Sequence, residues 1–232
     1  MADEDRLVQF RSDGLALSPA AYAGLLHSLA ESRGIAADEY SQGGVVAALE
    51  ARMAALLGKE TAVFVPSGTL ANHLALRRLA RQGCQSGRRV LVQAESHLYN
   101  DEGDCAQQLS GLNLLPLAPG RASFTLAEAM AAIAGPSGAR VAVPVGAISI
   151  ETPVRRAAGE ACDFSELRRI CDYARERGIG LHLDGARLLL QSVYTGIAPA
   201  EFPALCQRDD PAPPDRADNR RVYRGAVAPA LR

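Results

Sequence analysis

The chain has 232 residues, 48% of them hydrophobic and 22% charged, which is enough apolar content for one large domain with a sizeable core. A formal net charge of -1 leaves no electrostatic footprint for nucleic acid or an anionic membrane, and no apolar run reaches the roughly 18 residues that span a bilayer. The acidic start MADEDRLVQF lacks a signal-peptide core, and the five cysteines are scattered without a CxxC pair, so a reduced cytoplasmic protein with no metal site is expected.

Helical and strand periodicities alternate along the chain. Ser18 opens a helix that runs to about Ser32, and GGVVAALEARMAALLGK (43–59) carries Val46, Leu49, Met53 and Leu56 on one helical face. TAVFV (61–65) is short and rich in β-branched residues, which predicts a strand. A helix restarts in SGTLANHLALRRLARQG, followed by the strand RVLVQ (89–93), a helical polar stretch around 97–110 and the strand-like NLLPL (113–117). TLAEAMAAIAG (125–135) is helical and RVAVPVGAISI (140–150) extended. DFSELRRICDYARERG has Asp163 as N-cap, Glu166 at the capping-box spacing and Gly178 as the stop, and GIGLHLD then forms a last apolar strand. Short apolar strands interleaved with helices predict an α/β fold: a mostly parallel sheet covered by helices on both faces. The chain divides into an N-terminal segment and helix (1–35), a large domain (36–206) and a tail (207–232) that loses all periodicity, is rich in Arg, Asp and Pro, and reads as disordered.

Ligands of such sheets sit beyond the carboxyl ends of the strands, and three polar clusters lie there. In VPSGTLANHL, Pro66 ends a strand and Ser67, Gly68 and Thr69 turn into a helix whose first N–H groups can hold a phosphate; taken alone, the turn reads equally as a plain helix cap. In AESHLYNDEG, His97 stands just past a strand end, where an imidazole can stack on a planar ligand or move a proton. In isolation it reads better as a histidine at the surface or core edge, and His27 and His73, inside helical patterns, read so more strongly. In GLHLDGARL, His182 and Asp184 share a strand face, Gly185 permits a tight turn and Arg187 brings a cation to the crevice; an ordinary Asp–Arg surface pair is the other reading. A phosphate turn, a stacking histidine and a carboxylate–arginine pair together describe a pocket for pyridoxal phosphate.

These stretches, with DEYSQGGVVAALEARMAALLGKETAVFVPSGT and ISIETPV, resemble in order the threonine aldolase / aromatic amino acid β-eliminating lyase family, pyridoxal-phosphate enzymes of the aspartate-aminotransferase fold type, from about Phe10 to about Tyr194. The resemblance implies a phosphate held by Ser67, Gly68 and Thr69, His97 stacked on the pyridine ring and a candidate base, Asp184 at the ring nitrogen, and Arg187 near the ring hydroxyl or the substrate carboxylate. It places Ser12, in FRSDG, near that carboxylate and gives Glu151 the acidic position of the family's LEN stretch. The implied reaction is retro-aldol cleavage of a β-hydroxy-α-amino acid to glycine and an aldehyde, in a homo-oligomer.

The chain departs from the pattern in three ways. The YGEDP-like loop reads YSQGG (40–44), LEN reads IET, and the one lysine, Lys59, stands where the family carries a lysine that it does not use for catalysis. The Schiff-base lysine that the family carries past its DGAR stretch has no counterpart. The expectation is therefore a shortened large domain without the small C-terminal domain, impaired or inactive as a lyase and without covalently attached cofactor. The alternative is a non-catalytic protein of the same fold that binds cofactor weakly or pairs with a full-length homologue.

Overall fold

The computed structural model describes residues 17–37, 43–82, 87–135, 140, 141 and 143–206, with the backbone of 8, 9, 14 and 15. Ser12, the loop residues 40–42 and the tail 207–232 lie outside the described residues. Strands β1 (Val8–Gln9) and β2 (Gly14–Leu15) pair antiparallel. There follow α1 (Pro19–Arg33), α2 (Gly44–Leu56), α3 (Gly68–Gln82), β3 (Arg89–Gln93), α4 (His97–Asn100), α5 (Cys105–Ser110), β4 (Asn113–Leu117), α6 (Leu126–Ala134), β5 (Val145–Glu151), α7 (Phe164–Glu176), β6 (Gly180–Asp184), α8 (Leu188–Thr195) and α9 (Glu201–Leu205).

The main sheet has the order β4-β3-β5-β6 and is parallel throughout, as the alternation of elements predicts. Pro116 sits in β4, an edge strand, where its missing N–H costs no central ladder bond. Strand alternation divides the core. Val90, Val92, Leu114 and Ala147 pack with Leu76 and Ala80 of α3, Leu98 of α4 and Ala106 of α5. On the opposite face Leu91, Ile148, Ile150 and Leu181 pack with Ala129 of α6, Leu167, Ile170 and Ala174 of α7, and Phe202 of α9. Helices thus cover both faces. A Cβ on Gly180 would lie 2.8 Å from the Leu79 Cβ, and one on Gly146 would lie 2.1 Å from the Gly87 carbonyl oxygen. Both glycines therefore permit backbone approaches that a side chain would block.

Local signals hold where they act locally. Ser18 caps α1 by accepting the Ala21 N–H, and Asp163 caps α7 by accepting the Glu166 N–H. Three expectations need correction. TAVFV (61–65) forms no strand; the Phe64 N–H donates to Glu50 Oε1 instead, because β propensity cannot supply a strand partner. Of the run expected to be extended from 140, the described residues pair from Val145, past Pro144, which has no N–H to donate. The capping box at Asp163 is half made: the Glu166 carboxylate reaches across to the Leu126 N–H at the start of α6. The reciprocal box forms at Thr125 and Glu128 instead.

Candidate active site

β3 leads to β4 on one side, while β5 returns on the other side of β3, so the connections part between β3 and β5. A crevice for a ligand forms at such a switch point, at the carboxyl ends of the strands. Gln93, Glu151 and Asp184 are the last residues of β3, β5 and β6, and all three are polar ends on apolar strands.

Glu151 ties the centre together. Its Oε2 accepts the His97 backbone N–H at 2.6 Å, its Oε1 accepts that of Arg155 at 3.0 Å, and Arg187 Nη1 lies 3.7 Å from the same Oε1. Burial pushes the Glu151 carboxyl above its ordinary range, and Asp184 adds to this; the two N–H groups and the Arg187 guanidinium pull the other way. Arg187 is itself buried. Gln93, with no exposed surface, acts as a clamp: its Nε2 donates to the carbonyls of Glu151 at 2.7 Å and Ala122 at 3.1 Å, and its Oε1 accepts the Glu151 N–H at 2.9 Å.

Ser67 serves as the N-cap of α3, its hydroxyl accepting the Leu70 N–H at 3.2 Å. Gly68 and Thr69 open this 15-residue helix, whose first N–H groups have no carbonyl one turn back. The Thr69 side chain lies close enough to Glu102 to favour its carboxylate form. One turn further, Asn72 Nδ2 donates to Asp184 Oδ2 and to Glu102 Oε1, each at 3.1 Å, which links the α3 cluster to the β6 cluster. Asp184 Oδ1 accepts the Ala186 N–H at 3.2 Å, the tight turn that Gly185 permits. His97 stands half-exposed between two carboxylates, with Nδ1 3.3 Å from Asp101 and Nε2 3.8 Å from Glu102. Asp101 is in turn bound by Arg156, which holds its carboxyl low. His182 shares the strand face of Asp184, as period-two spacing predicts, but bonds to Ser149 at 2.8 Å; burial depresses its pKa and keeps the ring neutral.

The structure thus brings Thr69, His97, Glu151, Asp184 and Arg187 into one network. Among residues absent from the sequence reading, Asn72, Gln93 and Glu102 belong to it. Gln93 carries the same signal as Asp184, a polar end on an apolar strand. Asn72 stands inside a helix, where asparagine is a poor helix former, and Glu102 hides in an acidic run, NDEGD, that looks solvated.

Glu102 has a side chain 1% exposed, and burial raises its pKa to about 7, against partial compensation from Asn72 and His97. A folded-state pKa above the ordinary 4.5 means that stability is full below about 4.5 and is lost as pH rises through about 7. Glu102→Gln keeps the acceptor and removes the charge. It is expected to leave stability nearly unchanged at pH 4.5 and to raise it by about 3 kcal/mol at pH 8, in urea unfolding at both pH values.

Comparison with known proteins bears on what this network does. The family model described as beta-eliminating lyase matches residues 29–207. A low-specificity L-threonine aldolase of Candida albicans is 30% identical over 165 residues, which are 70% of this chain and 42% of that protein. An alanine racemase of Cochliobolus carbonum is 32% identical over 160 residues, 68% of this chain and 39% of that one. A crystal structure of a putative L-allo-threonine aldolase from Listeria monocytogenes superposes with a TM-score of 0.69 at 33% identity, covering 82% of this chain and 50% of that one. The chain spans about two fifths of the length of these curated relatives.

Proposed function

The chain belongs to the beta-eliminating lyase family, whose members are pyridoxal-phosphate-dependent and act on amino acids, and on that premise we propose that it is a lyase of the threonine aldolase type in its cofactor-facing residues, impaired in turnover as it stands. The observation that carries this is the convergence of His97, Glu151, Asp184 and Arg187 at the switch point of a parallel sheet.

The donor set fits the non-covalent needs of the cofactor. The start of α3 at Gly68 and Thr69 offers outward N–H groups and the positive end of the helix dipole to a phosphate. The Asp184 carboxylate is fixed by two N–H donors at the end of β6, where it can face the ring nitrogen of the cofactor. His97 supplies an imidazole to stack on the ring or move the proton of a substrate hydroxyl, and Arg187, anchored by Glu151, supplies a cation for a carboxylate. When bound, pyridoxal phosphate supplies an electron sink for the Cα–Cβ cleavage of a β-hydroxy-α-amino acid.

The covalent need is not met by Lys59. Its Nζ donates to the Pro203 carbonyl at 2.8 Å, and burial lowers its pKa. The same lysine favours a second reading: a non-catalytic protein that binds cofactor weakly or associates with a full-length homologue. Either reading carries with it a cytoplasmic, homo-oligomeric protein with 207–232 as a tail outside the domain.

The test is incubation with pyridoxal phosphate, borohydride treatment and peptide mapping, with glycine and acetaldehyde measured from L-threonine and racemisation measured on L-alanine. The expected result is cofactor that dialysis removes, no lysine-linked adduct, and glycine release that is slow but above a protein-free control with the same cofactor. A site-specific adduct with glycine release would show a working lyase and sink the claim of impairment. Cofactor bound without any turnover would favour the non-catalytic reading.

A further inference from the structure

Behind the cofactor-facing residues lies a buried pair with no role in the chemistry so far. Glu102 is one of the most enclosed acids among the described residues. Groups face it from three sides: the Thr69 hydroxyl, the Asn72 amide and His73 from α3, His97 from α4, and Asp184 from the end of β6. His73 Nε2 stands 3.2 Å from Glu102 Oε2 and is fixed on its other nitrogen by the Ser110 hydroxyl at 2.9 Å; burial and Arg77 lower its pKa, so it does not neutralise Glu102 with a full charge at neutral pH. Asp101, next in the chain, is engaged by Arg156. The Asn72 amide nitrogen bonds both the Glu102 and the Asp184 carboxylates at 3.1 Å, so the two acids stand within about 6 Å of each other.

An enclosed carboxyl is costly to keep, and an apolar residue would fill the space at less expense. Two carboxylates joined through one amide also share each other's field. We propose that Asn72 and Glu102 are positioning residues for Asp184: the amide aims the Asp184 carboxylate at the crevice, and the charge state of Glu102 sets how firmly Asp184 holds a cationic ring partner. This rests on the reading of Asp184 as the partner of the cofactor's ring nitrogen. An ionised Glu102 raises the negative potential at Asp184 and strengthens that hold; a protonated Glu102 relaxes it. Burial sets the change of state near neutrality.

The test measures pyridoxal phosphate affinity by equilibrium dialysis from pH 6 to 8.5 for the wild-type chain, Glu102→Gln and Asn72→Ala. Dividing wild-type affinity by that of Glu102→Gln at each pH cancels the titrations of the cofactor itself. The ratio is expected to rise about tenfold across this range, with its midpoint near the Glu102 pKa. In Asn72→Ala the carboxylate loses a donor, so the midpoint moves to higher pH; a merely structural role would weaken binding equally at every pH. A flat ratio overturns the proposal. If the wild-type chain binds no pyridoxal phosphate at any pH, the reading of Asp184 fails, and a cofactor-free readout still decides the Glu102 link. The Asn72 side-chain amide followed by NMR is expected to show a step as Glu102 titrates, absent in Glu102→Gln, and no such step in the wild type overturns the link.

Discussion

Asp184→Asn is expected to weaken pyridoxal phosphate binding by about 10- to 100-fold while leaving the chain folded. The substitution keeps the shape of the side chain, its place at the end of β6 and one acceptor oxygen, so that it forfeits one of its two N–H partners, Asn72 or Ala186. What it removes is the negative charge, and with it a charge-assisted hydrogen bond to a protonated ring nitrogen, worth about 1.5–3 kcal/mol. Equilibrium dialysis at pH 7.5 reads the affinity, and an unchanged far-UV spectrum and melting curve exclude unfolding as the cause. Equal affinity for the two chains would remove Asp184 from the cofactor's partners.

Gln93→Leu acts on the scaffold under the same site, and the expected loss of stability is about 3–5 kcal/mol. Gln93 is fully enclosed and spends its amide on the N–H and C=O of Glu151 and the C=O of Ala122, with Nε2 also 3.5 Å from the Cys162 Sγ. Leucine matches the volume but makes none of these bonds, and each buried group left unpaired costs about 1–3 kcal/mol. Chemical unfolding at pH 7 checks the magnitude. Because Glu151 holds His97, Arg155 and Arg187, the same variant is expected to lose cofactor affinity as well, whereas Gln93→Glu, protonated at low pH, can restore part of the clamp there. A loss under about 1 kcal/mol would mean that Glu151 keeps its geometry without the clamp.

Much of the fold is legible in the sequence because it rests on local periodicity. RVLVQ, NLLPL and GLHLD read as strands, and the caps at Ser18 and Asp163 act as their residue types predict. The exceptions share one cause. TAVFV has strand composition without a strand, and Glu166 leaves its own capping box for the neighbouring helix. In both cases a group with a local preference was claimed, or left unclaimed, by something distant in the chain.

The site divides in the same way. His97, Asp184 and Arg187 stand out as candidates because each lies at or just past a strand end, where an α/β sheet collects its ligand groups, whereas the turn at Ser67–Thr69 follows a segment, TAVFV, that forms no strand. Glu151 was readable only through a family motif. Asn72 and Glu102, 30 residues apart, carried no signal that they meet, and neither did Gln93 and Glu151, 58 apart. The sequence by itself determined the alternation of helices and strands, the polar residues at the strand ends and the single lysine, because these depend on residue type and short spacing. Tertiary structure alone decided which carboxylates share a hydrogen-bond donor, which are buried and which lie against a cation. Burial and proximity belong to the packed sheet, and they set the charge of Glu102 and Glu151 as no residue type can.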